Sequence, residues 1–303
     1  MSRLRQNISP ESDVLLKKHK YNVAEHFDGE VKYWGNVYGE NTEQANAYHQ
    51  YLMNRRMLYV LKIIEEYSSG QPLRILDAGC GAGVMLVNLE VRGHSVYGID
   101  ISKKMATEAH QLVCNMDPAE KRVFNGDIEN LPFKDGSFDV VISIGVLQFL
   151  PDYEKCIKEY SRVVKNGGNI IVTFPNIFRI GNFFDPYYYI VRGAHYLTYL
   201  IGRGRIIAAI SDPNTLSTNK YFTNRRYVYG NWNKYMIRYH LKSYKINSVG
   251  YGPFTIWSKS IFSDNFTIRI SNMIDDISMV MGFRWLKYFA NRWVVSLQKV
   301  QYQ

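Results

Sequence analysis

Cysteine is scarce: the 303 residues hold Cys80, Cys114 and Cys156, with no CxxC pair and no even set. That excludes a disulfide framework and a cysteine-based zinc site, and it implies a reducing, cytoplasmic compartment. Long apolar runs are missing too. The most apolar stretch, Phe183 to Ile210, is interrupted by Asp185, Arg192, His195, Arg203 and Arg205. No run approaches the ~20 residues that span a bilayer. Met1 to Lys20 is polar, without an apolar core or a small-residue cleavage site, so no targeting segment is expected. Repeats and low-complexity linkers are absent. What is present is globular: 46% hydrophobic and 21% charged residues, enough to bury a core without staples.

Acidic residues run short after residue 174. Residues 1–70 carry 9 basic and 9 acidic side chains, and residues 71–174 carry 11 and 13. Residues 175–303 carry 17 and 5, so the whole +10 excess sits there. Such a block signals a partner: nucleic acid, anionic lipid, or a phosphorylated or acidic substrate.

Residues 44–67 place Tyr48, Tyr51, Leu52, Leu58, Leu61 and Ile64 at helical spacing, and Ser68-Ser69-Gly70 ends the pattern. A βα rhythm follows. Leu73–Asp77 reads as a strand, Gly83–Arg92 as a helix and Ser95–Asp100 as a second strand. Ser102 caps a helix to about Val113. Arg122–Phe124 and Phe138–Ile144 are strands three and four. Asp152 caps a helix to about Lys165 that Gly167-Gly168 end, and Asn169–Phe174 is strand five. Strands this apolar imply a parallel sheet covered on both faces, hence a doubly wound α/β unit over about 71–174. The rhythm then breaks. It resumes with a helix over Asn233–Leu241, strands over Tyr244–Val249 and Arg292–Val300, and a helix within Phe266–Met281.

In doubly wound sheets, ligands bind at the carboxyl ends of the strands. Those ends carry Asp77-Ala-Gly79-Cys-Gly81-Ala-Gly83, then Asp100, Asp127 and Ser143-Ile144-Gly145. The glycine spacing is G-x-G-x-G, not the dinucleotide G-x-G-x-x-G. Asp77 precedes the first glycine. An acid there would repel a pyrophosphate but suits an ammonium-bearing ligand, which moves the expected cofactor from NAD to S-adenosylmethionine.

At this point the chain resembles the class I S-adenosylmethionine-dependent methyltransferases, on the small-molecule side around the ubiquinone and tetrapyrrole O-methyltransferases. The resemblance rests on Ile75-Leu-Asp-Ala-Gly-Cys-Gly-Ala-Gly83, Val96-Tyr-Gly-Ile-Asp-Ile-Ser102, Asn125-Gly-Asp-Ile128, Leu131-Pro-Phe-Lys-Asp-Gly-Ser-Phe-Asp139 and Arg162-Val-Val-Lys-Asn-Gly-Gly168. It implies a mainly parallel seven-stranded sheet, a helical lid over 1–70 and a cofactor core over 71–174. It further implies an acceptor cap over 175–232 and completion of the sheet over 233–303, with a second insertion at 253–290.

Residue by residue, the resemblance implies that Asp77, Ala78, Gly79 and Gly81 hold the methionine end. Asp100 takes the ribose hydroxyls and Ile101 packs on the adenine. Asp127 accepts from the adenine amino group beside Ile128, and Ser143 or Ile144 closes the site. Arg56 and Tyr33 reach the cofactor from the lid, with Arg56 meeting the methionine carboxylate. Many relatives carry a histidine after strand four. Here Gln148 stands in Val146-Leu-Gln-Phe149 and cannot act as a base. No acid cluster follows either, so no metal is expected. His195, in the insertion, is the lead base candidate, and His240 is a second.

Residues 179–245 hold 11 basic side chains against 2 acidic ones, interleaved with aromatics. That pattern fits base stacking with phosphate contacts, an interfacial membrane surface, or a pocket for an anionic or aromatic small molecule. No RNA-binding module is recognisable, and strand five ends in Phe174-Pro175-Asn176 without the motif of exocyclic-amine methyltransferases. A small acceptor is therefore favoured over nucleic acid, held by Gln148, Tyr187, Tyr188, Tyr196 and Arg192, with peripheral membrane contact as an option. The acceptor would be anionic, aromatic, sugar-bearing or lipid-linked. The alternatives are an RNA or protein methyltransferase and a cofactor-binding scaffold without catalysis. The oligomeric state is open.

Overall fold

The computed structural model describes residues 10–38, 47–114, 122–150, 153–176, 236, 238–250, 263–280, 290 and 292–300. Helices α1 (Pro10–Gly29), α2 (Val31–Asn36) and α3 (Ala47–Ser68) precede an alternating core. That core runs β1 (Arg74–Ala78), α4 (Val84–Glu90), β2 (Ser95–Asp100), α5 (Lys103–Cys114), β3 (Val123–Asn125), β4 (Phe138–Ser143), α6 (Glu154–Val163) and β5 (Val164–Pro175). Then come β6 (Leu241–Val249), α7 (Asp264–Val280) and β7 (Arg292–Lys299).

The seven strands form one sheet in the order β3-β2-β1-β4-β5-β7-β6. Strands β1 to β5 pair in parallel, and β7 is antiparallel to both β5 and β6. Successive strand residues face opposite sides, and both sides are dry. Leu76, Phe138, Tyr160 and Trp293 pack on one face, and Ile75, Ile64, Leu86 and Val294 on the other. A sheet covered twice needs apolar residues at nearly every position, which is why the strands read as continuous apolar runs. The order changes direction between β1 and β4, and the cleft at that switch faces the carboxyl ends of the parallel strands.

Several boundaries differ from the sequence expectation. Helix α6 stops at Val163 because Val164 is already extended and pairs with Phe138. The pairing then jumps to Val140–Asn169, so Gly167, at φ 79°, serves a bulge in β5 and does not end a helix. Asp152 lies outside the described residues, and Tyr153 begins α6 without a side-chain cap. Leu241 belongs to β6, not to a helix, because His240 at φ 56° turns the chain into the strand. On α3 the buried face includes Tyr48, Leu52, Val60, Leu61 and Ile64, while Leu58 is 59% exposed. Helix α7 turns Thr267 and Ser271 inward and Met273 outward, since it meets α3 through hydrogen bonds from Tyr51 and Arg55 to Asn272.

Two of the sequence motifs are joined by one side chain. Arg162 donates to the carbonyls of Leu131 (2.9 Å) and Phe133 (2.7 Å) and to the carboxylates of Asp135 and Glu159. A planar fork of donors satisfies all four. These residues hold the loop before β4; they do not line the cleft.

Candidate cofactor and acceptor site

The loop after β1 is shaped by backbone. Gly79 and Cys80 donate N–H bonds of 2.8 and 3.1 Å to the Ile99 carbonyl, turning the chain over β2. Gly79 has φ 88°, and a Cβ there would collide with the Val146 side chain, which packs directly on the loop backbone. Asp100, at the end of β2, fastens this loop. Its Oδ2 accepts Gly81 N–H and its Oδ1 accepts Ser102 N–H, both at 2.9 Å. Burial pushes the Asp100 carboxyl up to about 6, while the N–H groups of Ser102 and Gly81 hold it down.

Asp77 is 2% exposed, and its Oδ1 has no hydrogen-bond partner. Burial pushes its carboxyl up to about 8, with the Asp100 charge adding to the shift and the Arg56 guanidinium opposing it. Arg56 reaches in from α3, only 3% exposed. It donates to the Tyr38 hydroxyl at 2.8 Å, and its Nε is buried without a partner. A Cβ on Gly145 would lie 2.8 Å from Arg56 Nη1, so a side chain there would push the guanidinium aside. A buried acid and a buried base, each with a vacant polar atom, are costly unless something completes them.

Asp77, Gly79, Gly81, Asp100, Ile101, Asp127, Ile128, Ile144, Gln148 and Arg56 all line one cavity of about 160 Å³. Four expectations place differently. Ser143 is fully buried, bonded to the Ala78 carbonyl (3.0 Å) and the Tyr160 hydroxyl (3.0 Å), so it faces the sheet core. Ala78 is likewise sealed inside β1, because alternation points its side chain away from the cleft. Tyr33 is not a lining residue; its hydroxyl is 2.7 Å from His49 Nδ1 and its ring packs on Trp34. His240 precedes Leu241, which pairs with Lys299, beside the Gln298–Asn169 pair. It therefore sits at the amino edge of the parallel strands, about 20 Å along the sheet from the cavity, and cannot act as base there. His195, Tyr187, Tyr188, Tyr196 and Arg192 lie outside the described residues.

The cavity also gathers residues that no sequence motif marked. Helix α1 lines it with His19, Lys20, Val23 and Phe27. Lys20 Nζ lies 2.6 Å from Asp127 Oδ2 and 2.7 Å from Glu129 Oε2. Burial lowers the Lys20 ammonium, but these two carboxylates outweigh it and raise the group overall. The Glu129 N–H donates to Asp127 Oδ1 at 2.9 Å, so each Asp127 oxygen already accepts one hydrogen bond. Asp28 accepts from Ser102 Oγ and from Lys104 N–H, tying α1 to the first turn of α5. His19 Nε2 is 2.7 Å from the Phe149 carbonyl, and Phe27 meets the Phe149 ring edge to face at 5.1 Å. Arg292, the first residue of β7, donates to Gln148 Oε1 at 3.2 Å. Among the described residues no group of His, Cys, Asp or Glu could hold a metal ion, and no helix is long and apolar enough to cross a membrane.

The cleft thus joins a glycine loop after β1, acids at the ends of β1 and β2 and a buried acid–base pair whose Asp77 Oδ1 and Arg56 Nε have no partner. Comparison with known proteins gives the family. A family model described as a methyltransferase domain matches residues 76–172. The ubiquinone biosynthesis O-methyltransferase of Alkalilimnicola ehrlichii is 30% identical over 201 residues, which are 64% of this chain and 74% of that protein. The sterol 4-C-methyltransferase of Caenorhabditis elegans is 31% identical over 111 residues, 36% of this chain and 33% of that protein. A malonyl-[acyl-carrier protein] O-methyltransferase of Erwinia pyrifoliae matches over 46% of its length at 34% identity, so the chain spans under half of these last two relatives. The magnesium protoporphyrin IX methyltransferase of Synechocystis, solved with bound S-adenosylhomocysteine, has the same fold. Its TM-score is 0.56 at 16% identity, over 92% of this chain and 99% of that one. The chain belongs to the S-adenosylmethionine-dependent methyltransferases of class I, and its cofactor is S-adenosylmethionine.

Proposed function

We propose that the protein transfers a methyl group from S-adenosylmethionine to an oxygen or nitrogen atom of a small biosynthetic intermediate that is aromatic or anionic. The observation that carries this reading is the vacant pair of Asp77 Oδ1 and Arg56 Nε in the cleft at the sheet switch. Asp77 would take the ammonium of the methionine end and Arg56 its carboxylate. Asp100 would accept the ribose hydroxyls while keeping its two backbone bonds, since a carboxylate has four lone-pair sites. Ile101 and Ile128 line the part of the cavity assigned to the adenine.

The cofactor supplies an electrophilic methyl group. The protein's own work is to align the acceptor and exclude water, which is the larger part of such catalysis. Helix α1 and Trp34, which line the cavity, would serve as that cover. The acceptor class draws support from Arg292 and Gln148, which bring a cation and an amide to a wall otherwise built by Phe149, Leu150 and Val146. It draws further support from the basic, aromatic composition after residue 174.

Calorimetry tests the reading. S-adenosylmethionine should bind the wild-type protein, and Asp100→Ala should weaken binding about a hundredfold. Two charge-assisted hydrogen bonds are lost, worth on the order of 3 kcal/mol together, and the Gly81 N–H loses its acceptor. Wild-type protein that binds no S-adenosylmethionine would refute the proposal.

A further inference from the structure

We propose that His19 is the proton acceptor for the methyl-accepting group, with Nδ1 as the basic atom; the assignment rests on the methyltransferase reading above. Three observations converge. His19 lines the same cavity as Asp77 and Gly145. Its Nε2 lies 2.7 Å from the Phe149 carbonyl. A carbonyl can only accept, so Nε2 carries the hydrogen, and in the neutral ring Nδ1 holds the lone pair. Nδ1 makes no hydrogen bond to the described residues.

Position selects this histidine over the others. The strand order runs β3-β2-β1-β4, so the cavity has two ends. Asp100 and Asp127 mark one end, over β2 and β3. Asp77, Gly145 and Arg56 mark the other, over β1 and β4. The turn Leu147–Phe149 leads directly away from Gly145, and His19 hangs on its last carbonyl. Lys20, one residue on, points instead to Asp127 and Glu129. Helix α1 thus aims its lysine at the nucleoside end and its histidine at the methionine end. Gln148, in the same turn, has no basic atom and is bonded to Arg292. His94 accepts Leu73 N–H at 3.2 Å, and His110 sits against Cys114 on α5; neither lines the cavity.

The step balances. An acceptor O–H or N–H bond breaks as its oxygen or nitrogen forms a bond to the methyl carbon. The methyl–sulfur bond breaks and its electron pair stays on sulfur. The released proton goes to His19 Nδ1, and the imidazolium later yields it to water. One positive charge disappears at sulfur and one appears on the ring.

His19→Gln separates catalysis from scaffolding, because the glutamine amide can still donate to the Phe149 carbonyl but has no basic nitrogen. S-adenosylhomocysteine affinity and melting temperature should stay near wild type. Methyl transfer from radiolabelled S-adenosylmethionine into a small-molecule and lipid extract of the source cells should fall by about a hundredfold or more, the usual range for a lost general base. Nitrogen-15 NMR of the S-adenosylhomocysteine-bound protein at pH 8 should show His19 as the Nε2–H tautomer with Nδ1 unprotonated. Undiminished transfer by His19→Gln overturns the assignment, and so does an Nδ1–H or doubly protonated ring, whatever the acceptor. No transfer by the wild-type protein overturns the parent reading and takes this one with it.

Discussion

Asp77→Asn should make the protein more stable and unable to hold its cofactor. Its carboxyl stands at about 8 in the folded protein against an ordinary value of 3.8, raised by burial first and by Asp100 second. A carboxyl whose pKa is raised by folding favours the fold while protonated. Its contribution is complete below its ordinary value and is lost as pH rises through about 8. Above that range the wild-type apoprotein carries a buried anion that Arg56 offsets only in part. Asparagine has the same shape and no charge. At pH 8 the variant should gain on the order of 3 kcal/mol, and the advantage should shrink at pH 5. Melting curves at the two pH values read the difference directly. Calorimetry on the same variant should show S-adenosylmethionine affinity down about a thousandfold, because an ammonium buried beside a neutral amide loses its partner. Equal melting at both pH values would show that Asp77 is ionised without cost, and unchanged affinity would remove it from the site.

Gly83→Ala should destabilise the fold strongly without touching a ligand. Gly83 stands at φ 87° at the start of α4, and an added Cβ would lie 2.8 Å from Ala109 Cα and 2.9 Å from Ala109 Cβ. The obstacle is backbone on α5, which cannot rotate away. Left-handed strain of about 1 kcal/mol adds to overpacking of about 1–3 kcal/mol, for a loss of about 3 kcal/mol by urea denaturation. Gly81→Ala is the control: its φ is 54° but nothing lies within 4 Å of the added carbon. It should cost about 1 kcal/mol in stability. The last glycine of the G-x-G-x-G run therefore works for helix packing.

That division was only partly legible in the sequence. Asp77 with Gly79, Asp100 and Asp127 were readable because they stand at the carboxyl ends of β1, β2 and β3, and parallel strands bring such ends together. Ser143 looked equally well placed. Side-chain alternation decides otherwise: the register that lets Ile144 reach the cavity turns Ser143 toward α6. His19, Lys20 and Arg292 gave no signal at all. They come from the first and last described elements, and only tertiary folding brings them to one rim, so neither periodicity nor a motif marks them. His240 failed for the opposite reason: its place beside strand six was clear, but which edge of the sheet it occupies depends on β6 running antiparallel to β7.

The position of β7 carries a consequence for how the chain is made. Residues 292–299 sit between β5 and β6, hydrogen-bonded on both sides, and among the described residues β6 has no other strand neighbour. During synthesis, β5 and β6 emerge long before the strand that joins them. Each must wait with an open edge, a state prone to pairing with other chains. The sheet therefore cannot close in the order in which it is translated. Arg292, on the cavity rim, arrives with that last strand, so the same event that seals the sheet completes the wall of the site.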